Sequence, residues 1–263
     1  MDSKFLSNRL GEIRYNNYGS EMKIIRYGGT FDIDVEFKNG YISKNRQYKK
    51  FKNGTIKNYN DKTVYNIGYL GDGNYEPRID GEITKVYDTW KGMLRRCYDK
   101  KKQKEFPTYK NCTVETEWLN FQVFGKWFNE NFYTVGNEII ALDKDILVKG
   151  NKVYSPQTCI FVPEKINGLF VKSNKSRGKF PIGVTWHKTS NKYRAACRDN
   201  IINAGSKKTS CGYIGQYATP EEAFYHYKTR KEQVIKEVAD KYKEQIPKKL
   251  YDAMYKYEVE ITD

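Results

Sequence analysis

The chain carries 47 lysines and arginines against 32 aspartates and glutamates over 263 residues, a formal net charge of +15. Like charges in that excess repel one another in any compact state. The fold must therefore disperse them or meet a polyanion, and nucleic acid is the commonest one. A structureless basic tail would lack aromatic residues. Here aromatics reach 15%, with 23 tyrosines, and apolar residues reach 38% at a mean hydropathy of −0.84. The composition predicts a folded basic protein of one or two ordinary domains, or three small ones.

Several classes fall away on the same reading. There is no run of about 18 apolar residues, so no membrane span or membrane partner is expected. Residues 1–10 lack the apolar stretch of a secretory leader. The cysteines (Cys97, Cys112, Cys159, Cys197 and Cys211) are odd in number and scattered, with no Cys-x-x-Cys pair. That supports neither a zinc ribbon nor a disulfide framework, and a reducing, cytoplasmic setting is expected. His187 and His226 are the only histidines, and both read as polar surface.

The periodicities predict an α+β protein. Residues 1–62 read as a small β-barrel-like module, with strands at Met22–Ile25 and Ile33–Phe37 and turns at Gly28-Gly29 and Asn39-Gly40. Its residues Lys44, Arg46, Lys49, Lys50, Lys52 and Lys57 interleave with Tyr48 and Phe51, which suits a structural β domain or a nucleic-acid accessory surface. Residues 60–81, rich in Gly, Asn and Asp, read as a linker or long loop. A central unit over 83–172 opens with helix 83–98, whose Val86, Trp90, Met93, Leu94 and Cys97 form an apolar stripe. Its other face carries Lys91 and Arg95, followed by Lys100 to Lys102, for solvent or phosphate. A second helix, 117–130, buries Trp118, Phe121, Phe124, Trp127 and Phe128. Strand 138–148 contains Asp143-Lys144-Asp145, and a strand over 159–162 follows after a turn. Pro163 then opens a helix containing Asn167. A third module, 178–247, holds three strands at 182–186, 193–198 and 211–217, then a capping box at Thr219-Pro220-Glu221-Glu222 and a long helix. Pro247 ends that helix, and 248–263 form a tail.

The central segment resembles phage and mobile-element HNH nucleases. The residues carrying this are Trp90-Lys91-Gly92-Met93-Leu94-Arg95-Arg96-Cys97-Tyr98, then Pro107-Thr108-Tyr109, Val114 to Trp118, and Phe121, Phe124 and Trp127. Leu142-Asp143-Lys144-Asp145, Tyr154 to Cys159, and Asn167 complete the set. The resemblance implies a ββα unit holding one divalent metal, Mg²⁺ or its substitute Mn²⁺, against a scissile phosphate. Asp143 falls at the metal-ligand position, Lys144 at the place of the base histidine, Thr158 at that of a ligand asparagine, and Asn167 at the helix asparagine. A lysine, with a reference pKa of about 10.4, is a poor base near neutrality. Thr158 is a weak neutral ligand for magnesium. A hydrated metal held by Asp143 and Asp145 would then supply the nucleophile, the two aspartates sharing a face if the strand stays extended. The other reading of Asp143-Lys144-Asp145 is a salt-bridged strand end.

The C-terminal module resembles the Apetala2-type DNA-binding domain that often follows such units. It matches at Gly183-Val184, Lys192-Tyr193, Ala195, Tyr213 to Tyr217, Thr219 to Ala223, and Tyr227. The resemblance implies a three-stranded sheet in the DNA major groove, with Trp186, Lys188, Lys192, Arg194 and Arg198 as candidate contacts. Together these readings point to a sequence-specific, double-stranded-DNA-binding protein of homing-endonuclease type, encoded by a phage or mobile element and acting in a bacterial cytoplasm. Phosphodiester hydrolysis is open. The alternatives are a degenerate relative that regulates by binding DNA, and a phage protein that targets a host protein.

Overall fold

The computed structural model describes residues 9–171, 178–197 and 212–263. They form a mixed α+β protein with several small sheets, divided into two compact units. The first runs to Glu130 and includes Val153–Ser155; the second holds the remaining described residues. The 83–172 span is thus shared between the two units.

The first unit opens with an antiparallel meander of β1 (Ile13–Tyr15), β2 (Glu21–Gly29), β3 (Asp32–Phe37) and β4 (Ile42–Arg46). Alternation along β2 and β3 puts one set of side chains inward. The register pairs Met22 with Phe37 and Ile24 with Val35, all buried. Helix α1 (Tyr48–Lys52) sets Phe51 onto that face, and Ile56 completes the cluster. Among the described residues β1 and β4 do not pair, so the expected barrel-like closure is corrected to an open sheet. The α1 side chains cover the face that closure would have sealed. The interleaved aromatics are likewise structural. Phe51 is core, and the Tyr48 hydroxyl donates to Glu12 Oε2 at 2.9 Å while its ring lies beneath Arg9.

The 60–81 segment is no free linker. Gln122 Nε2 donates to the carbonyls of Leu70 (3.1 Å) and Tyr75 (3.0 Å), and its Oε1 accepts from Tyr75 N–H (2.9 Å). Gly68 lies so close to Leu94 and Trp90 that a Cβ would collide with both side chains. A small hairpin, β5 (Arg78–Ile79) and β6 (Glu82–Ile83), leads into α2 (Lys85–Tyr98), capped by Thr84 Oγ1 on Tyr87 N–H. Helix α3 (Lys100–Glu105) is capped by Asp99. Strand β7 (Thr113–Val114) pairs in parallel with β9 (Val153–Tyr154). The helix expected from 117 is broken at Asn120, whose Oδ1 accepts from Gln122 N–H; a 3-10 turn (Thr116–Leu119) precedes α4 (Phe121–Asn131). Trp90, Met93, Leu94, Trp118, Phe121 and Phe124 form the buried centre, and Trp90 Nε1 donates to the Trp118 carbonyl at 2.7 Å.

In the second unit β8 (Ile140–Asp143) pairs antiparallel with β10 (Ile160–Pro163), and α5 (Glu164–Asn167) packs back on both. β8 is much shorter than the strand expected over 138–148, because the chain bends at Lys144. Strands β11 (Val184–His187), β12 (Lys192–Ala196) and β13 (Tyr213–Tyr217) form the last sheet, covered by α6 (Pro220–Tyr242). Thr219 Oγ1 caps α6 on Glu222 N–H, while Glu222 reaches Ala218 N–H rather than that of Thr219. The tail forms α7 (Lys248–Tyr255), held to α6 by Tyr251 and Tyr255 hydroxyls donating to Asp240. Among the described residues no helix is long and apolar enough to cross a membrane.

Gln122→Ala tests the anchoring of the 60–81 loop. It orphans three backbone groups, so unfolding free energy should fall by about 3 kcal/mol in urea titration; a loss under about 1 kcal/mol would show that the clamp is dispensable.

Candidate nucleic-acid interface

The register of the C-terminal sheet sorts its side chains into two faces. Thr185, Arg194 and Gln216 align in one row, with His187 and Lys192 on the same side. Val184 and Ala195 are buried on the opposite side, toward α6, where Tyr217 stacks on His226 at 4.3 Å. Gly183, at φ 75°, lets the chain enter β11 against α6, because a side chain there would overlap the Tyr227 ring. The outward face is therefore polar and basic. The three strands contain no Asp or Glu.

Arg194 extends over the Tyr213 ring, 5.1 Å from its centre. A bulge between Ala195 and Ala196 aligns Tyr213 with Ala196. Bulges re-aim side chains in this way. Tyr213 belongs to the segment that carries the Apetala2-type resemblance but is not among the expected contacts; its place beside Arg194 depends on the bulge. Lys192 and Lys188 are exposed. Lys188 lies in the β11–β12 turn, which His187 Nδ1 and Ser190 Oγ brace at 2.9 Å. Trp186 departs from the expected set. Its register partner is Tyr193, itself paired with Tyr217, which places it on the helix-facing side, packed edge-on to Tyr193 at 4.8 Å with 38% of its surface exposed. Arg198 lies outside the described residues.

The second candidate cluster sits at the end of β8. Asp143 Oδ1 accepts from the N–H groups of Asp145 (2.9 Å) and Ile146 (2.7 Å), which turns the chain. Asp143 and Asp145 are therefore not on one extended strand face, which corrects that expectation. Lys144 is only 6% exposed. Its Nζ donates to Asp145 Oδ2 and to the Asn151 carbonyl, each at 3.0 Å, and Asn151 Nδ2 returns a bond to the Lys144 carbonyl. Burial, and then the neighbouring Asp145, push the Asp143 carboxyl above its ordinary range against those two N–H groups. Thr158 is half-buried two residues before Ile160, the register partner of Asp143, so both lie at one end of the hairpin. Asn167 closes α5, which packs on that hairpin.

These residues do not fit a carboxylate-held Mg²⁺ or Mn²⁺ ion. Such ions need several carboxylate or water oxygens. Asp143 Oδ1 is committed to backbone, Asp145 Oδ2 to an ammonium, and that buried ammonium already supplies the positive charge of the turn. Among the described residues no three His, Cys, Asp or Glu side chains converge on a common point.

Comparison with known protein families, with characterised proteins and with solved structures finds no match to this chain.

Asp143→Asn discriminates a turn from a metal site, since the amide oxygen keeps both backbone bonds and only the charge is lost. In the parent, a raised carboxyl pKa means stability falls as pH rises from the ordinary carboxylate range through that raised value. The variant should lack this fall and, at neutral pH, be as stable as the parent to within about 1 kcal/mol or more stable. Denaturant titrations at pH 4 and pH 7 test this; a loss above about 2 kcal/mol at pH 7 would contradict it.

Proposed function

We propose that this protein binds double-stranded DNA sequence-specifically through the outward face of β11–β13, and that its β8–β10–α5 unit acts as a scaffold without cutting. In family terms this is a degenerate relative of the phage HNH and homing endonucleases with an Apetala2-type reading domain, serving as a DNA-binding regulator. One observation carries the reading: Lys192 and Lys188 are exposed on one sheet face and its turn, and Arg194 lies on the same face, positioned on Tyr213. A guanidinium presented from a sheet suits a guanine edge or a phosphate, while lysines suit phosphates as point charges. The committed oxygens around Lys144 support the non-cutting form.

The test is selection of a preferred duplex from a random library, followed by binding titrations. Arg194→Ala should cost about 1–3 kcal/mol on the selected duplex and relax discrimination at one base position. Lys192→Ala should weaken all duplexes alike and reduce the salt slope by about 1. Variants that bind like the parent would remove the sheet as the reading surface. Incubation with Mg²⁺ or Mn²⁺ should leave the duplex intact. Cleavage that Asp143→Ala abolishes would restore the endonuclease reading.

A further inference from the structure

Helix α2 sends two consecutive arginines into different surroundings. Arg95 is exposed, whereas Arg96 turns inward. The Arg96 guanidinium carbon lies 5.3 Å from the centre of the Tyr154 ring and 5.9 Å from that of Tyr109. Tyr154, on β9, is 2% exposed; Tyr109 ends the 3-10 turn Pro107–Tyr109 and is half-buried. Arg96 Nε is shut off from solvent and has no hydrogen-bond partner. Among the described residues Arg96 forms no ion pair with a carboxylate.

A guanidinium carries five N–H donors and keeps its charge at any pH a protein meets. Two ring faces attract it, but they leave most of its donors without an oxygen. A buried cation with no anion is otherwise costly to hold. The elsewhere-used solution in this protein, a paired carboxylate as for Lys144 and Asp145, is missing here. Arg96 as a residue keeps part of its surface, and the exposed cations Arg95 and Lys110 adjoin Arg96 and Tyr109 in the chain.

We infer that Arg96 anchors an anion site in the first unit that takes a phosphate group on its guanidinium, with Tyr109 and Tyr154 fixing the fork. The source of the phosphate, the DNA backbone, rests on the function proposed above; the chemistry of the site does not. It gives the first unit a sequence-independent contact to accompany base reading by the sheet.

The experiment uses the ¹⁵N-labelled full chain. A buried Arg Nε–H exchanges slowly with water and gives its own resonance, assigned by its loss in Arg96→Lys. Inorganic phosphate should shift that resonance saturably, and sodium chloride at matched ionic strength should not. A short duplex should shift it too. Arg96→Lys, which keeps the charge but loses the fork, should bind duplex about tenfold more weakly, with no change in base discrimination. If neither phosphate nor duplex moves the resonance while duplex still binds, Arg96 is structural and the inference falls, with DNA binding intact. If phosphate moves it but no duplex binds at low salt, the anion site stands and the proposed function falls. Should Arg96→Lys fail to fold, the parent titrations with phosphate and chloride decide alone, with assignment from through-bond correlations.

Discussion

Uncompensated positive charge is the constraint to which the rest of this structure answers. The 32 acids cannot neutralise 47 bases, so where each carboxylate goes determines which cations remain available. Several are used for local order. Arg26 is gripped by Asp32 and Asp34, which draws both carboxyls below their ordinary range. Lys149 pairs with Glu260 and Asp263, and Lys165 with Glu138. The exposed pairs of Arg26 contribute little stability, and they are lost as pH falls through the lowered pKa values of Asp32 and Asp34. Aromatic rings take up part of what carboxylates leave. Arg9 lies over Tyr48 and Arg96 beside Tyr109 and Tyr154. Rings position a cation without neutralising it, so an aromatic-rich basic protein can be rigid and remain strongly positive.

The same accounting separates the two candidate sites. At the end of β8 an ammonium, one oxygen of each of two carboxylates and three backbone groups hydrogen-bond to one another in the turn. On the outward face of β11–β13 the cations have no carboxylate in the strands to meet. A polyanion gains most where cations are exposed and desolvation is small, as at Lys188 and Lys192, which favours the sheet.

Much of this was legible in the sequence where one short-range rule dominates. The alternation of β2 and β3, the Trp90–Leu94 stripe of α2 and the Thr219 cap all depend on neighbours within a few residues. The reading failed where long-range contacts decide. The 60–81 segment has linker composition, yet its carbonyls are held by Gln122, about fifty residues away. Closure of the N-terminal sheet depends on whether β1 meets β4, which alternation does not encode. At Lys144 the strand ends because the Asp143 side chain captures two N–H groups, an option every Asp has and only context selects. Trp186 shares the face of buried Val184, and which face of the sheet the helix covers is set by the pairing of β11 with β12, not by β11 alone. Arg95 reads as a surface cation in the sequence, whereas nothing local marks Arg96 as an interior group; the approach of Tyr154 on β9 does.

The central claim is that the open charge of this protein is directed at nucleic-acid phosphates. A binding titration of the full chain against one duplex, repeated between about 50 and 200 mM salt, addresses it most directly. With roughly 6–10 phosphate contacts, affinity should fall by about 10³–10⁵ across that range, linearly in the logarithm of salt concentration. A flat salt profile, or no binding at the lowest salt, would contradict it.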